Sequence, residues 1–248
     1  MFKLVLVFIL IIVFIIIIEN CNKLEKFTLD SGIPGPNFLA IGTIHGNEPA
    51  SSYALESIIN DFKSKRLILK KGSVTIIPCL NKCGRMLGIR FQPQELLKLQ
   101  FWLADGNRTY PKNNEYTGRS EIAKDIIPLV NFSDAVFDGH EGYSYVRLNS
   151  GSMGNGIFPG TTRLSIKAAK DIETVLNTKI PTNAWYKKYK AITNWNTSEG
   201  TLRNYCNRKN IHYMLMETAG QGNIEPLNKR VKAQKIVCLE FMKKMGNL

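Results

Sequence analysis

The sequence predicts the α/β class: a single domain whose mixed or largely parallel central sheet is flanked by helices, after an N-terminal hydrophobic leader. Three observations predict it. From about residue 37 onward, short apolar runs alternate with amphipathic stretches of helical length, the pattern of strands joined by helices. The 248 residues are 44% hydrophobic and 21% charged, so one core of ordinary size can form and a disordered chain is excluded. No triplet, heptad or internal repeat occurs, and there is one long apolar run, which excludes collagen-like, coiled-coil and multi-span membrane architectures.

The leader comes first. Leu4 to Ile18 are fifteen consecutive apolar residues between Lys3 and Glu19-Asn20-Cys21. As a helix they reach roughly 22 Å at about 1.5 Å per residue, short of a hydrocarbon core of about 30 Å, so the length suits the apolar region of a secretory signal. No small-x-small cleavage site follows. Ile18-Glu19-Asn20-Cys21 loosely resembles a bacterial lipoprotein box, with Asn20 in place of the usual small residue. The expectation is an exported protein, periplasmic or extracellular, with membrane attachment through residues 1–21; cleaved, Cys21-lipidated and uncleaved forms stay open. Residues 22–248 form the globular domain.

Within it, residues 37–44 read as a buried strand, and Pro49 opens a helix through residue 63, the position proline prefers. Residues 73–78 are a second strand, and 95–103 read as helical. Residues 121–132 form a helix and 135–138 a short strand. The Gly-rich run 149–160 is a loop at the rim of a site. Helices follow at 163–176 and 199–208, a strand at 213–217, and a last helix at 225–244 that ends at Gly246.

Lys plus Arg number 33 against 20 Asp plus Glu, a net charge of +13, which suits anionic partners or reflects a lysine-rich composition. No helix-turn-helix, zinc-finger or RNP-type motif is present, so nucleic acid is not an expected partner. Cys79, Cys83, Cys206 and Cys238 follow the leader. Cys79-x-x-x-Cys83 has no paired motif downstream, which argues against a zinc knuckle; buried free thiols are the default, and a disulfide of unread connectivity is permitted in an exported protein.

In open α/β sheets, sites form beyond the carboxyl ends of strands. His45 and Glu48, Asn107 and Arg108, His140, and Glu217 are placed at such ends. A histidine and a carboxylate three residues apart across a strand-to-helix turn can converge on one ion, and imidazole and carboxylate are zinc donors. The chain has three histidines. His140 follows a strand in FDGHEGY, whereas His212, inside IHYMLME, reads as structural.

TIHGNEP, PCLNKCGRMLGIRF, DGNRTYP, FDGHEGY and MLMETAG, in that order from residue 39 to about 220, resemble the zinc carboxypeptidase superfamily, including its succinylglutamate desuccinylase and aspartoacylase branch. The resemblance implies an α/β/α fold with a mixed sheet of roughly eight strands and one zinc ion. It implies His45, Glu48 and His140 as zinc ligands and Glu217 as general base and acid, acting on a zinc-activated water. Arg90 then polarises the scissile carbonyl, with Arg85 a competitor for that role, and Asn107 with Arg108 grips the substrate's terminal carboxylate. Asp105 hydrogen-bonds the first zinc histidine. The implied activity is zinc-dependent hydrolysis of an amide bond next to a free carboxylate, by a carboxypeptidase acting on peptides or cell-wall peptides. Desuccinylase or deacylase action on N-acyl amino acids is the alternative within the family. A non-catalytic module binding an anionic polymer is the alternative outside it. Two departures stand out: Asn81-Lys82-Cys83-Gly84 replaces the Pro-Asp-Gly that digestive carboxypeptidases show after the strand asparagine. The family's mobile tyrosine is unassigned among Tyr143, Tyr145, Tyr186, Tyr189 and Tyr205.

Overall fold

The computed structural model describes residues 5–7, 9, 12, 16, 23–145, 154–181, 188–195 and 198–248. Its strands are β1 (Phe27–Asp30), β2 (Asn37–Gly42), β3 (Ser73–Ile77), β4 (Ala135–Gly142), β5 (Gly156–Pro159), β6 (Lys190–Ala191) and β7 (His212–Ala219). They form one seven-stranded sheet in the order β1-β3-β2-β4-β7-β5-β6. The central β3, β2, β4 and β7 are mutually parallel, while β1 runs antiparallel to β3 and β5 antiparallel to β7. The domain is therefore mixed α/β, with a sheet covered on both faces.

Strand alternation divides the core in two. Phe38 and Ala40 of β2, Val74 and Ile76 of β3, and Phe137 of β4 face one side. There they meet α1 (Ala50–Lys63), α5 (Arg163–Lys179) and α7 (Leu227–Met245) through Leu55, Ile172 and Phe241. Leu39, Ile41, Ile77, Val136 and Tyr213 face the other side. Those residues pack on α4 (Glu121–Asn131) and α6 (Leu202–Arg208) through Ile126, Val130, Leu202 and Tyr205. Two short helices, α2 (Lys82–Leu87) and α3 (Pro93–Leu97), and 3₁₀ turns at Phe101–Leu103 and Gly106–Arg108 fill the connection from β3 to α4.

The structure corrects several expected boundaries. β4 and β7 continue past residues 138 and 217, because the ladder between them persists to Gly142 and Ala219. His140 and Glu217 thus lie inside strands, and Asn107-Arg108 lie on a 3₁₀ turn rather than beyond a strand. Part of the expected 149–160 loop is strand β5, where Gly156 to Pro159 are all buried; residues 146–153 lie outside the described residues. The 95–103 stretch breaks in two because Leu99 adopts φ 58°, a left-handed conformation that ends α3. The helix expected from 199 starts at Leu202, where Thr201 accepts a hydrogen bond from the Asn204 N–H. Edge strands β1 and β6, short and partly exposed, carry too little apolar pattern to be read from sequence.

Cys79, Cys206 and Cys238 are free thiols; Cys83 departs from expectation in being disulfide-bonded. Among the described residues, no helix is long and apolar enough to cross a membrane. Most of the leader, with Cys21, lies outside them, as does Tyr186.

Candidate metal centre

His45 and Glu48 sit on the turn that leads from β2 into α1. That turn is tight. Thr43 is buried at φ 52°, rare for a β-branched residue. Its N–H donates to Ser51 Oγ (2.9 Å) and its hydroxyl to the Glu48 carbonyl (3.1 Å). Gly46 lies against the backbone of α2: a Cβ there would come within 2.0 Å of the Gly84 carbonyl carbon, so no other residue fits. Both devices aim His45 and Glu48 at β4.

The parallel register completes the cluster. His140 on β4 lies opposite Glu217 on β7, so the two side chains leave the same face as neighbours. His45 Nδ1 lies 2.8 Å from Glu48 Oε1, and His140 Nδ1 lies 2.9 Å from Glu48 Oε2. The two imidazoles meet edge-on with centroids 4.9 Å apart. One donor atom from each of His45, Glu48 and His140 lies within 4.8 Å of the others, and all three residues are buried. A metal ion fits this set: two imidazoles and a carboxylate converge, and each Nε2 is occupied from behind. His45 Nε2 donates to Asp105 Oδ1 at 3.0 Å, and His140 Nε2 lies 3.2 Å from Asp138 Oδ1. Such backing carboxylates fix the tautomer that leaves Nδ1 free to ligate.

The electrostatics show how strongly these groups depend on one another. Burial pushes Glu48 up, but the two imidazoles hold it well below the usual carboxylate range. Burial lowers His140, yet Asp138 and Glu48 outweigh it and hold it well above an ordinary histidine. Asp105, also raised by burial, is brought well below its ordinary value by His45 and Arg90. Glu217 behaves in the opposite way. Burial pushes it up to about 8, with the neighbouring Glu48 and Asp138 charges adding to the rise and His140 and Arg90 resisting it. Among the described residues, no hydrogen bond engages its carboxylate.

Arg90 binds Glu48 Oε1 through Nη1 and Asp105 Oδ2 through Nε and Nη2, each at 3.2 Å. Arg85 is directed elsewhere, lying 4.4 Å over the Tyr53 ring and donating to the Pro49 carbonyl. Asn107 is buried, its Nδ2 3.4 Å from His140 Nε2 and its Oδ1 accepting the Leu202 N–H at 3.0 Å. Arg108 is exposed beside it, one N–H donating to the Asn107 carbonyl at 2.7 Å. The structure thus gathers His45, Glu48, His140, Asp105 and Arg90 in contact and sets Glu217 and Asn107 against His140. His212 lies apart, hydrogen-bonded to Thr162. Tyr189 and Tyr205 are tied to Glu225 and Asn131.

Sequence reasoning misses two participants. Asp138 stands two residues before His140, and strand period alone puts the pair on one face; that signal was available. Asp138 Oδ2 also accepts the Tyr213 hydroxyl at 2.6 Å. Gln221 has no such signal. It arrives from the loop after β7 and donates to Glu48 Oε1 at 3.1 Å and to the Glu141 carbonyl at 2.6 Å.

No protein-family model matches the chain, and no curated protein matches it in sequence. Solved structures do. The tripeptide-bound cell shape determinant Csd4 of Helicobacter pylori aligns with a TM-score of 0.69 at 16% identity, over 91% of this chain and 56% of that one. Its mDAP-bound form, described as a D,L-carboxypeptidase, aligns with a TM-score of 0.65 at 18% identity, over 86% of this chain and 52% of that one. An aspartoacylase family protein of Mesorhizobium loti gives 0.59 at 15%, over 91% of this chain and 62% of its own. This chain therefore spans between half and two thirds of those structures. At these identities the likeness is one of fold, shared with Csd4 and with the aspartoacylase family protein.

Proposed function

We propose that this protein is a zinc-dependent hydrolase that cleaves an amide bond next to a free carboxylate, acting as a carboxypeptidase on peptides or cell-wall peptides. The observation that carries the reading is the His45–Glu48–His140 donor set with an unengaged Glu217 in register beside it. His45 and His140 through Nδ1, and Glu48 through its carboxylate, would hold the ion; when bound, zinc supplies a Lewis acid and an acidified water. Glu217 takes the proton from the attacking water and returns it to the leaving amine. Its raised affinity for protons suits a group that must both accept and donate near neutrality. Arg90, whose charge reaches Glu217, steadies the oxygen that becomes negative as the carbonyl is attacked. Arg108, exposed and with one N–H on the Asn107 carbonyl among the described residues, offers a fork for the substrate's terminal carboxylate, and Asn107 positions it. The tripeptide bound to Csd4 in one structure and the mDAP bound in another favour a peptide of cell-wall type. Residues 1–21 fit as a signal or anchor that delivers the domain, residues 22–248, outside the cytoplasm.

The test is metal content together with mass-spectrometric assay of a panel of peptides and N-acyl amino acids, with Glu217→Gln as control. One equivalent of zinc, and C-terminal residues lost only with the parent protein, is the expected result. Turnover confined to N-acyl amino acids would move the activity to the deacylase branch. A protein that takes up no metal and turns over nothing would overturn the reading in favour of a binding module.

A further inference from the structure

Gln221 touches a ligand of the metal centre, yet the chemistry above gives it nothing to do. It stands on the turn that follows β7, the strand of Glu217. That turn runs close to β4: the Gln221 N–H donates to the Gly142 carbonyl at 3.0 Å, and a Cβ at Gly220 would come within 2.2 Å of Glu141 Oε1. The side chain then crosses to the turn between β2 and α1, where its Oε1 accepts from Asn47 Nδ2 at 3.1 Å. Its Nε2 donates to Glu48 Oε1 at 3.1 Å and to the Glu141 carbonyl at 2.6 Å. One buried amide thus ties together the segments that carry Glu48, His140 and Glu217. Only one orientation of that amide fits. Turned over, it would set its oxygen against two acceptors, the Glu48 carboxylate and the Glu141 carbonyl, and its NH₂ against that of Asn47. Asn47 holds this orientation while its own Oδ1 is buried with no hydrogen-bond partner. An unpaired buried oxygen opposes stability, so folding alone does not account for the contact.

The acceptor count at Glu48 says what the amide does. An ionised carboxylate offers about four lone-pair sites, shared equally between its oxygens. On Oε1, Arg90 Nη1 at 3.2 Å and Gln221 Nε2 at 3.1 Å take both. On Oε2, the Glu141 N–H takes one at 3.0 Å. The contacts to His45 Nδ1 and His140 Nδ1 are those that ligation by the imidazoles replaces. A single site is left, on Oε2, the oxygen beside His140.

We infer that Glu48 ligates the ion through Oε2 alone, and that Gln221, oriented by Asn47, is the positioning residue that keeps Oε1 off it. Ligation through one oxygen leaves the ion three protein donors and an open fourth position, which a second oxygen would crowd. The inference rests on His45, Glu48 and His140 holding a divalent ion, as proposed above, and on nothing about the substrate.

The test loads the full chain with cobalt(II) in place of zinc and reads its visible absorption, intense for a four-coordinate ion and weak for a five-coordinate one. The parent should show the intense spectrum. Gln221→Met, which removes the amide at similar side-chain length, should lose it as the freed Oε1 joins the ion. Asn47→Leu leaves Gln221 in place without its orienting donor; it should move the spectrum the same way and add nothing in the Gln221→Met background. Asn47 is only half-buried, so this variant carries the test should Gln221→Met fail to fold. A role in folding alone would lower the melting temperature of the metal-free variants and leave the cobalt spectrum as in the parent, and that result would overturn the inference. So would a parent that is itself five-coordinate, or shifts from the two variants that add. A parent that takes up no cobalt would instead sink the metal-centre reading, and this inference with it.

Discussion

Each side chain at the centre is defined by its neighbour's charge. Glu217 is the informative case, because burial, with the Glu48 and Asp138 charges adding to it, makes it hold a proton up to about pH 8 against an unfolded value near 4.5. The folded state then binds more protons than the unfolded chain, so its contribution to stability is complete below about 4.5 and is lost as pH rises through about 8. Melting curves of chelator-treated protein between pH 5 and 9 should show this decline, and Glu217→Gln should remove it. The same substitution should lower turnover about 10²–10⁴-fold while metal content is retained. Asp105 and Asp138 act through the imidazoles they back. Asp105→Asn or Asp138→Asn should weaken metal binding about 10–100-fold in a chelator competition, with the fold intact by circular dichroism. His45, Glu48 and His140 were legible through the family resemblance of the motifs that carry them. Gln221 was not, because it reaches Glu48 from a loop more than 170 positions away in sequence.

Among the elements, the connections matter more than the regular segments. α6 is seven residues long and owes its start to Thr201, yet it carries the Leu202 N–H that fixes the Asn107 amide. Thr201→Ala should therefore cost about 1 kcal/mol by urea titration. It should also raise KM more than it lowers kcat, since Asn107 and Arg108 are the proposed substrate grip. β4 and β7 show why sequence boundaries failed where they did. Alternation of apolar and polar residues marks a strand that is half solvated, but these strands are buried almost throughout, and His140, Glu141 and Thr218 find partners inside the protein. An element ends where its hydrogen-bond ladder ends, not where its apolar residues do.

Across the whole molecule, the sheet is tied at the site end to the layer of α1 and α7 by a buried ion pair, Glu141 on β4 with Arg230 on α7. Glu141 also accepts the Ala50 N–H at the start of α1. Arg230→Met should destabilise by about 3–5 kcal/mol, because it leaves a buried carboxylate without its partner. Burial already pushes Glu141 up to about 7 against the pull of Arg230, so the loss should be larger at pH 8 than at pH 5, where the carboxyl takes a proton. Urea titrations at the two pH values would check both size and direction. The sequence by itself determined the α/β class, the order of the central elements and the apolar run that leads the chain, while the two histidines and two glutamates of the proposed chemistry came through the resemblance of their motifs. These are local facts, carried by residue type and by periods of two and 3.6. Only the tertiary structure decided that His140 and Glu217 stand in register and that Asp138 and Gln221 join the centre. Those relations depend on strand order and on which chain segments meet after the core closes, and no short stretch of sequence contains them.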